Sequence, residues 1–242
     1  MANLLTVGRV LLIFVIIGVW AREETVTWWW LDLLMVPLLA WAIFMDALDG
    51  WAARKWHEES EAGALFDIAG DRIVELTLWT FFAIRIDPDG LPLVALWVPV
   101  AMIARTVLTD VVRAVAFGHG RTPFGARGMQ DTAWARQLTA SRWSRGWYGG
   151  MKAVCFCGLG LLLAWPSLRS AALAGITFRA AVDALVLATV AFSLARAVPV
   201  LWDGRRYVGA ISAARPARRV EGRGQWRYRR STKEKPRVST EG

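Results

Sequence analysis

Four carboxylates stand at helical spacing within a mostly apolar region: Asp46 and Asp49, then Asp67 and Asp71. Asp46 and Asp49 are i, i+3 and share one face of a helix, while Gly63, Asp67 and Asp71 are i, i+4, i+8 and share one face of the next. A short polar link makes consecutive helices antiparallel neighbours, so the two acidic faces can meet. An acid near the middle of a membrane span costs on the order of 2.5–3.5 kcal/mol, less near the interface. Four acids close together also repel one another and take up protons unless cations are present. Hard divalent ions held by oxygen, Mg²⁺ or Mn²⁺, remove both costs, and the lack of His or Cys at ligand spacing argues against zinc. Two adjacent metals suit phosphoryl chemistry, because they neutralise phosphate oxygens and the charge growing on a leaving group. Asp46, Asp49, Asp67 and Asp71 are therefore the expected ligands of a two-metal site.

The residues between them have paired readings. Gly50 follows an aspartate at a helix end, and Gly63 sits one turn before Asp67. A missing side chain there lets a nucleotide base or phosphate approach the backbone, or lets helices pack closely, as Ala53 also does. Arg54 can pair with a pyrophosphate or serve as a snorkelling anchor.

The elements that must position these residues are membrane helices. The 242-residue chain is 55% hydrophobic with a mean hydropathy of +0.36. Long apolar segments predict an all-α, polytopic fold of six transmembrane helices, at about 5–21, 28–50, 62–86, 91–117, 147–166 and 179–202. Trp28, Trp29 and Trp30 mark a span end at the bilayer interface. Arg22-Glu23-Glu24 and Asp87-Pro88-Asp89-Gly90 are short acidic loops, whereas the second-to-third and fourth-to-fifth connections carry Arg54, Lys55, Arg121, Arg127, Arg136, Arg142 and Arg145. The positive-inside rule then places both termini, the basic loops and the carboxylates at the cytoplasmic face of the inner membrane. The loop bearing Arg169 runs against that pattern. Arg9 and the following apolar run are read as a first helix with an interfacial start at Asn3–Arg9, rather than as a signal peptide.

Residues 1–203 form the expected membrane domain and 204–242 a basic cytoplasmic tail. From Asp203 to Gly242 there are 12 Arg and Lys against 4 Asp and Glu. Its composition predicts disorder, and attraction to anionic lipid headgroups is favoured over nucleic-acid binding. Cys155 and Cys157, in an apolar run, read as small lipid-buried side chains. His57 and His119 read as surface-loop residues, since His57-Glu58-Glu59 lacks the second histidine of a zinc-protease motif.

The pattern D-x2-D-G-x2-A-R-x8-G-x3-D-x3-D, with eight fixed residues over twenty-six positions, resembles the signature of the CDP-alcohol phosphotransferase family. The six-helix pattern and the Asn3-Leu4-Leu5-Thr6 opening extend the resemblance over about residues 1–200. It implies that Asp46, Asp49 and Asp67 bind metal, and that Asp71 shares a metal and acts as general base. It also implies that Gly50, Ala53, Arg54 and Gly63 border the CMP part of a CDP-diacylglycerol donor, and that a homodimer forms in the membrane. The hydroxyl of an alcohol acceptor would attack the β-phosphorus and CMP would leave, a step of phospholipid biosynthesis.

For the acceptor, Arg105 and Arg113, i, i+8 on the fourth helix, are intramembrane cations suited to a phosphate, although Asp110 offers Arg113 a structural partner. Lys152, with Arg142 and Arg145, is a second candidate for a phosphate site or a set of cytoplasmic anchors. The stretch from Ala104 to Arg113 is similar to phosphatidylglycerophosphate synthases, which favours glycerol 3-phosphate. Arg72 after the last aspartate is shared with inositol-type members, so inositol phosphate, serine and phosphatidylglycerol stay open as acceptors. From another class, a cation or proton carrier would also hold intramembrane carboxylates, but near the midplane and on broken helices or repeats.

Overall fold

The computed structural model describes residues 2–22, 29–56, 61–87, 90–118, 133–139, 141–173 and 175–213; side chains at 46–56, at 207–213 and at a few helix-end positions lie outside the described residues. Among the described residues seven α-helices follow in chain order: α1 (Ala2–Trp20), α2 (Trp29–Trp56), α3 (Glu61–Ile84), α4 (Trp97–Gly118), α5 (Ala133–Thr139), α6 (Arg142–Ala164) and α7 (Phe178–Ala213). A 3₁₀ turn, Pro166–Arg169, and a two-residue antiparallel hairpin, β1 (Ala172–Leu173) with β2 (Ile176–Thr177), join α6 to α7. The architecture is all-α and of membrane type. Two stretches, Trp134–Ala164 and Phe178–Arg206, are long and apolar enough to cross a bilayer, and Leu4–Trp20 and Trp29–Met45 are shorter apolar helices.

Six of the helices fall on the six expected segments, with instructive differences at their ends. Residues 91–96, expected to open the fourth helix, instead run back along the end of α3. Ile86 and Pro92 form a bridge, and Leu93 N donates to Arg85 O at 2.9 Å. Helix α4 starts at Trp97, where Pro99 sits in the first turn and sacrifices no intrahelical donor. Gly90, at φ +79°, supplies the left-handed residue of the preceding turn. Helix α6 begins five residues earlier than expected because Ser141 caps it, accepting a hydrogen bond from Ser144 N. Helix α7 runs to Ala213, past the expected domain boundary at 203/204; the rest of the basic tail, and His57 and His119, lie outside the described residues.

Helix α1 packs on α2 and α3, α2 on α6, α6 on α7, and α7 on α4. Their shared core centres on large rings: Trp79 meets Phe156 edge-on at 4.8 Å, and Trp20 lies 5.8 Å from Phe82. Trp20 also donates its indole N–H to Asp32 O at 3.0 Å, which satisfies the one polar atom it buries. Gly160 leaves room for that ring, since a Cβ there would lie 2.7 Å from Trp20 Cη2. Gly160→Ala is therefore expected to destabilise the protein by about 1–3 kcal/mol through overpacking, measured as a lower unfolding temperature in detergent. The outer surface is apolar too: Leu11, Val15, Trp41, Val100, Val107, Val111, Val154 and Val198 are all exposed. A surface of that kind belongs against lipid.

Candidate active site

Helix α3 carries Gly63, Asp67 and Asp71 along one face, with Gly63 partly buried. Asp71 Oδ1 lies 2.9 Å from Arg9 Nη2, and Asp67 Oδ1 lies 3.8 Å from the same nitrogen. Arg9 is 2% exposed, while the two carboxylates are 44% and 42% exposed. Helix α1 thus delivers a buried cation to the rear of two acids whose other oxygens stay accessible. Gly70 makes the approach possible: a Cβ there would stand 2.5 Å from Thr6 Cγ2 and 3.3 Å from Arg9 Nη2.

Asp46, Asp49, Gly50, Ala53 and Arg54 belong to α2 by backbone, which keeps the two aspartates at helical i, i+3 spacing, but their side chains lie outside the described residues. Among the described residues no group of three or more His, Cys, Asp or Glu side chains gathers in a metal-ligating cluster. The donors that are described, the carboxylate oxygens of Asp67 and Asp71 one turn apart on α3, are of the kind a hard divalent ion takes.

One turn further along α3 the acidic ladder continues to Glu75, which is 3% exposed. Its Oε2 lies 3.0 Å from Lys152 Nζ and 3.9 Å from Arg72 Nη1, and its Oε1 accepts the Tyr148 hydroxyl proton at 2.6 Å. Tyr148 Oη also sits 3.0 Å from Ser193 Oγ; with its one proton on Glu75, it accepts from the serine. Three cations surround the Tyr148 ring: Lys152 Nζ at 4.7 Å, Arg196 at 5.2 Å and Arg105 at 5.9 Å from its centroid. Arg196 donates to Ser144 O, Ser144 Oγ and Thr139 O. Arg105 differs. It is buried at 8% exposure, and its Nε and Nη1 have no hydrogen-bond partner among the described residues. Arg113 shares Asp110 with Arg72, at 3.2 and 3.3 Å.

The structure therefore brings Asp67 and Asp71 together with Arg9, and Arg105 together with Lys152. It leaves Arg113 in a separate ion pair. Arg9, Glu75, Tyr148 and Arg196 were not singled out as site residues from the sequence. Glu75 had a signal, since it extends the i, i+4, i+8 ladder by one more step. Arg9 had another, as a cation in an apolar helix. Arg196, a cation in the apolar helix α7, had the same signal, whereas Tyr148 had none, because only tertiary packing brings α6 to α3.

The all-α fold thus carries paired acids at one point on α3, with a buried cluster of cations one turn away. Residues 1–194 match the family model of CDP-alcohol phosphatidyltransferase. A cardiolipin synthase (CMP-forming) from Streptomyces coelicolor (strain ATCC BAA-471 / A3(2) / M145) is 30% identical over 162 residues, spanning 64% of this chain and 69% of that protein. The chain belongs to the CDP-alcohol phosphatidyltransferase family, and it is an enzyme of that class.

Proposed function

We propose that this enzyme moves a phosphatidyl group from CDP-diacylglycerol to the hydroxyl of a glycerol phosphate, releasing CMP at the cytoplasmic face of a six-span membrane domain. The observation that carries the acceptor is Arg105: a buried guanidinium with open donors, beside Lys152, is a cradle for a phosphate. Glycerol 3-phosphate supplies that group as a monoester. The cardiolipin synthase relative favours a second carrier of the same chemistry, phosphatidylglycerol, because cardiolipin joins two phosphatidyl groups through one glycerol.

Asp67 and Asp71, with Asp46 and Asp49 from α2, would hold Mg²⁺ or Mn²⁺; bound there, the metals neutralise the diphosphate oxygens and the charge that leaves with CMP. Asp71 accepts the proton of the acceptor hydroxyl as its oxygen bonds to the β-phosphorus. The bond from that phosphorus to the bridging oxygen breaks, and CMP departs with the electron pair. Arg54 pairs with the donor diphosphate, Gly50 and Gly63 give the nucleotide access to the backbone with Ala53 beside them, and Arg105 and Lys152 fix the acceptor phosphate. Arg113 stays paired with Asp110, which it shares with Arg72.

The test is CMP release by purified protein supplied with CDP-diacylglycerol, Mg²⁺ or Mn²⁺, and in turn glycerol 3-phosphate, phosphatidylglycerol, inositol phosphate and serine. Release with either glycerol phosphate supports the proposal, and release only with inositol phosphate or serine overturns its acceptor. Arg105→Ala is expected to raise the acceptor KM about 10- to 100-fold, the worth of one or two charge-assisted hydrogen bonds, and to leave the KM for CDP-diacylglycerol nearly unchanged. Equal rises in both KM values would count against a dedicated phosphate pocket. A chelator should abolish CMP release, and added Mn²⁺ should restore it.

A further inference from the structure

We infer that Arg9 is a fixed counter-charge of the carboxylate site, which sets how tightly that site holds a divalent cation. This rests on the metal reading proposed above. A guanidinium keeps its proton under all ordinary conditions, so Arg9 is a permanent positive charge. Its place is fixed as well. It is 2% exposed, α1 is anchored in the core by Ile13, Ile16 and Trp20, and the bare backbone of Gly70 brings it against α3.

Two opposing effects follow from the 2.9 Å and 3.8 Å approaches to Asp71 and Asp67. Arg9 relieves the mutual repulsion of the two acids, so α3 can pack before any ion is bound. It also repels a dication that uses the same carboxylates, because its charge stays a few ångströms away and cannot be switched off. The carboxylates turn their exposed oxygens away from a buried guanidinium, so an ion reaches them without entering the space of Arg9. Arg9 is thus a positioning residue for Asp67 and Asp71, and it keeps ion binding weak enough to be reversible. A purely structural arginine makes the opposite prediction: its loss would disorder the acids and weaken ion binding.

That difference in sign is the test. Full-length protein is stripped with EDTA and titrated with Mn²⁺ alone, and free Mn²⁺ is followed by electron paramagnetic resonance. Arg9→Gln is expected to lower the Mn²⁺ Kd on the order of tenfold, whereas Arg9→Lys, which keeps the charge, stays within about threefold of the unaltered protein. Gly70→Ala pushes Thr6 and Arg9 away from α3 without altering either residue, so it should also tighten Mn²⁺ binding. Unchanged or weaker binding by Arg9→Gln overturns the inference; should that variant not fold, the same result from Gly70→Ala does so. Equal Kd values across all the proteins remove the role of Arg9 and leave the metal reading standing. No Mn²⁺ binding by any of them, the unaltered protein included, removes both.

Discussion

Asp71→Asn is expected to lower acceptor-dependent CMP release by about 100- to 10,000-fold, the range for losing a general base. Asn keeps the shape of the side chain and its carbonyl can still face Arg9, so the helix α1 contact should largely survive. What it cannot do is take a proton from the acceptor hydroxyl at neutral pH. The expected signature is a collapse in kcat with every acceptor and little change in the KM for either substrate, at a nearly unaltered unfolding temperature. Asp67→Asn should behave differently: it removes a proposed metal ligand and not the base, so part of its loss should return at high Mn²⁺, and that of Asp71→Asn should return far less. Undiminished turnover in Asp71→Asn would rule this residue out as the base.

Much of this was legible in the sequence, and the reason is the solvent. In lipid, each run of apolar residues must become a helix to satisfy its backbone, so helix positions follow from length and hydropathy. The ends follow local chemistry and were read less well. Ser141 caps α6 ahead of its apolar run, and residues 91–96 return along α3 through a bridge between Ile86 and Pro92. The acidic signature was legible because carboxylates in an apolar helix need a cation. Their cationic neighbours were partly hidden. Arg9 lies 61 positions from Gly70 in the chain, and nothing local to either residue shows that one packs on the other. Arg169, which ran against the positive-inside pattern, is explained by a contact: it lies 3.2 Å from Asp87, as Arg179 does at 3.3 Å, so the acidic loop and the basic loop are partners.

Glu75→Leu is expected to be the most destabilising single change in the bundle, costing about 3–5 kcal/mol, as when one partner of a buried ion pair is removed. Glu75 is bonded to Lys152 and Tyr148, and it is also within ion-pair range of Arg72. Taking it away leaves the ammonium beside Tyr148, with Arg105 and Arg196 on the same ring and without the carboxylate it is bonded to. The phenol of Tyr148 loses its acceptor at the same time. Glu75→Leu combined with Lys152→Met should recover most of that stability, since apolar side chains of similar volume commonly replace a buried ion pair without loss. The pair then separates two roles of Lys152. If it serves only as the counter-ion of Glu75, the stable double variant keeps its acceptor KM. If it also holds the acceptor phosphate beside Arg105, the double variant unfolds near the temperature of the unaltered protein, yet its acceptor KM rises about tenfold or more, with the CDP-diacylglycerol KM unmoved. Thermal unfolding followed by tryptophan fluorescence, together with CMP release at varied acceptor, distinguishes these outcomes, and a double variant no more stable than Glu75→Leu alone would mean that Lys152 is not what the acid compensates.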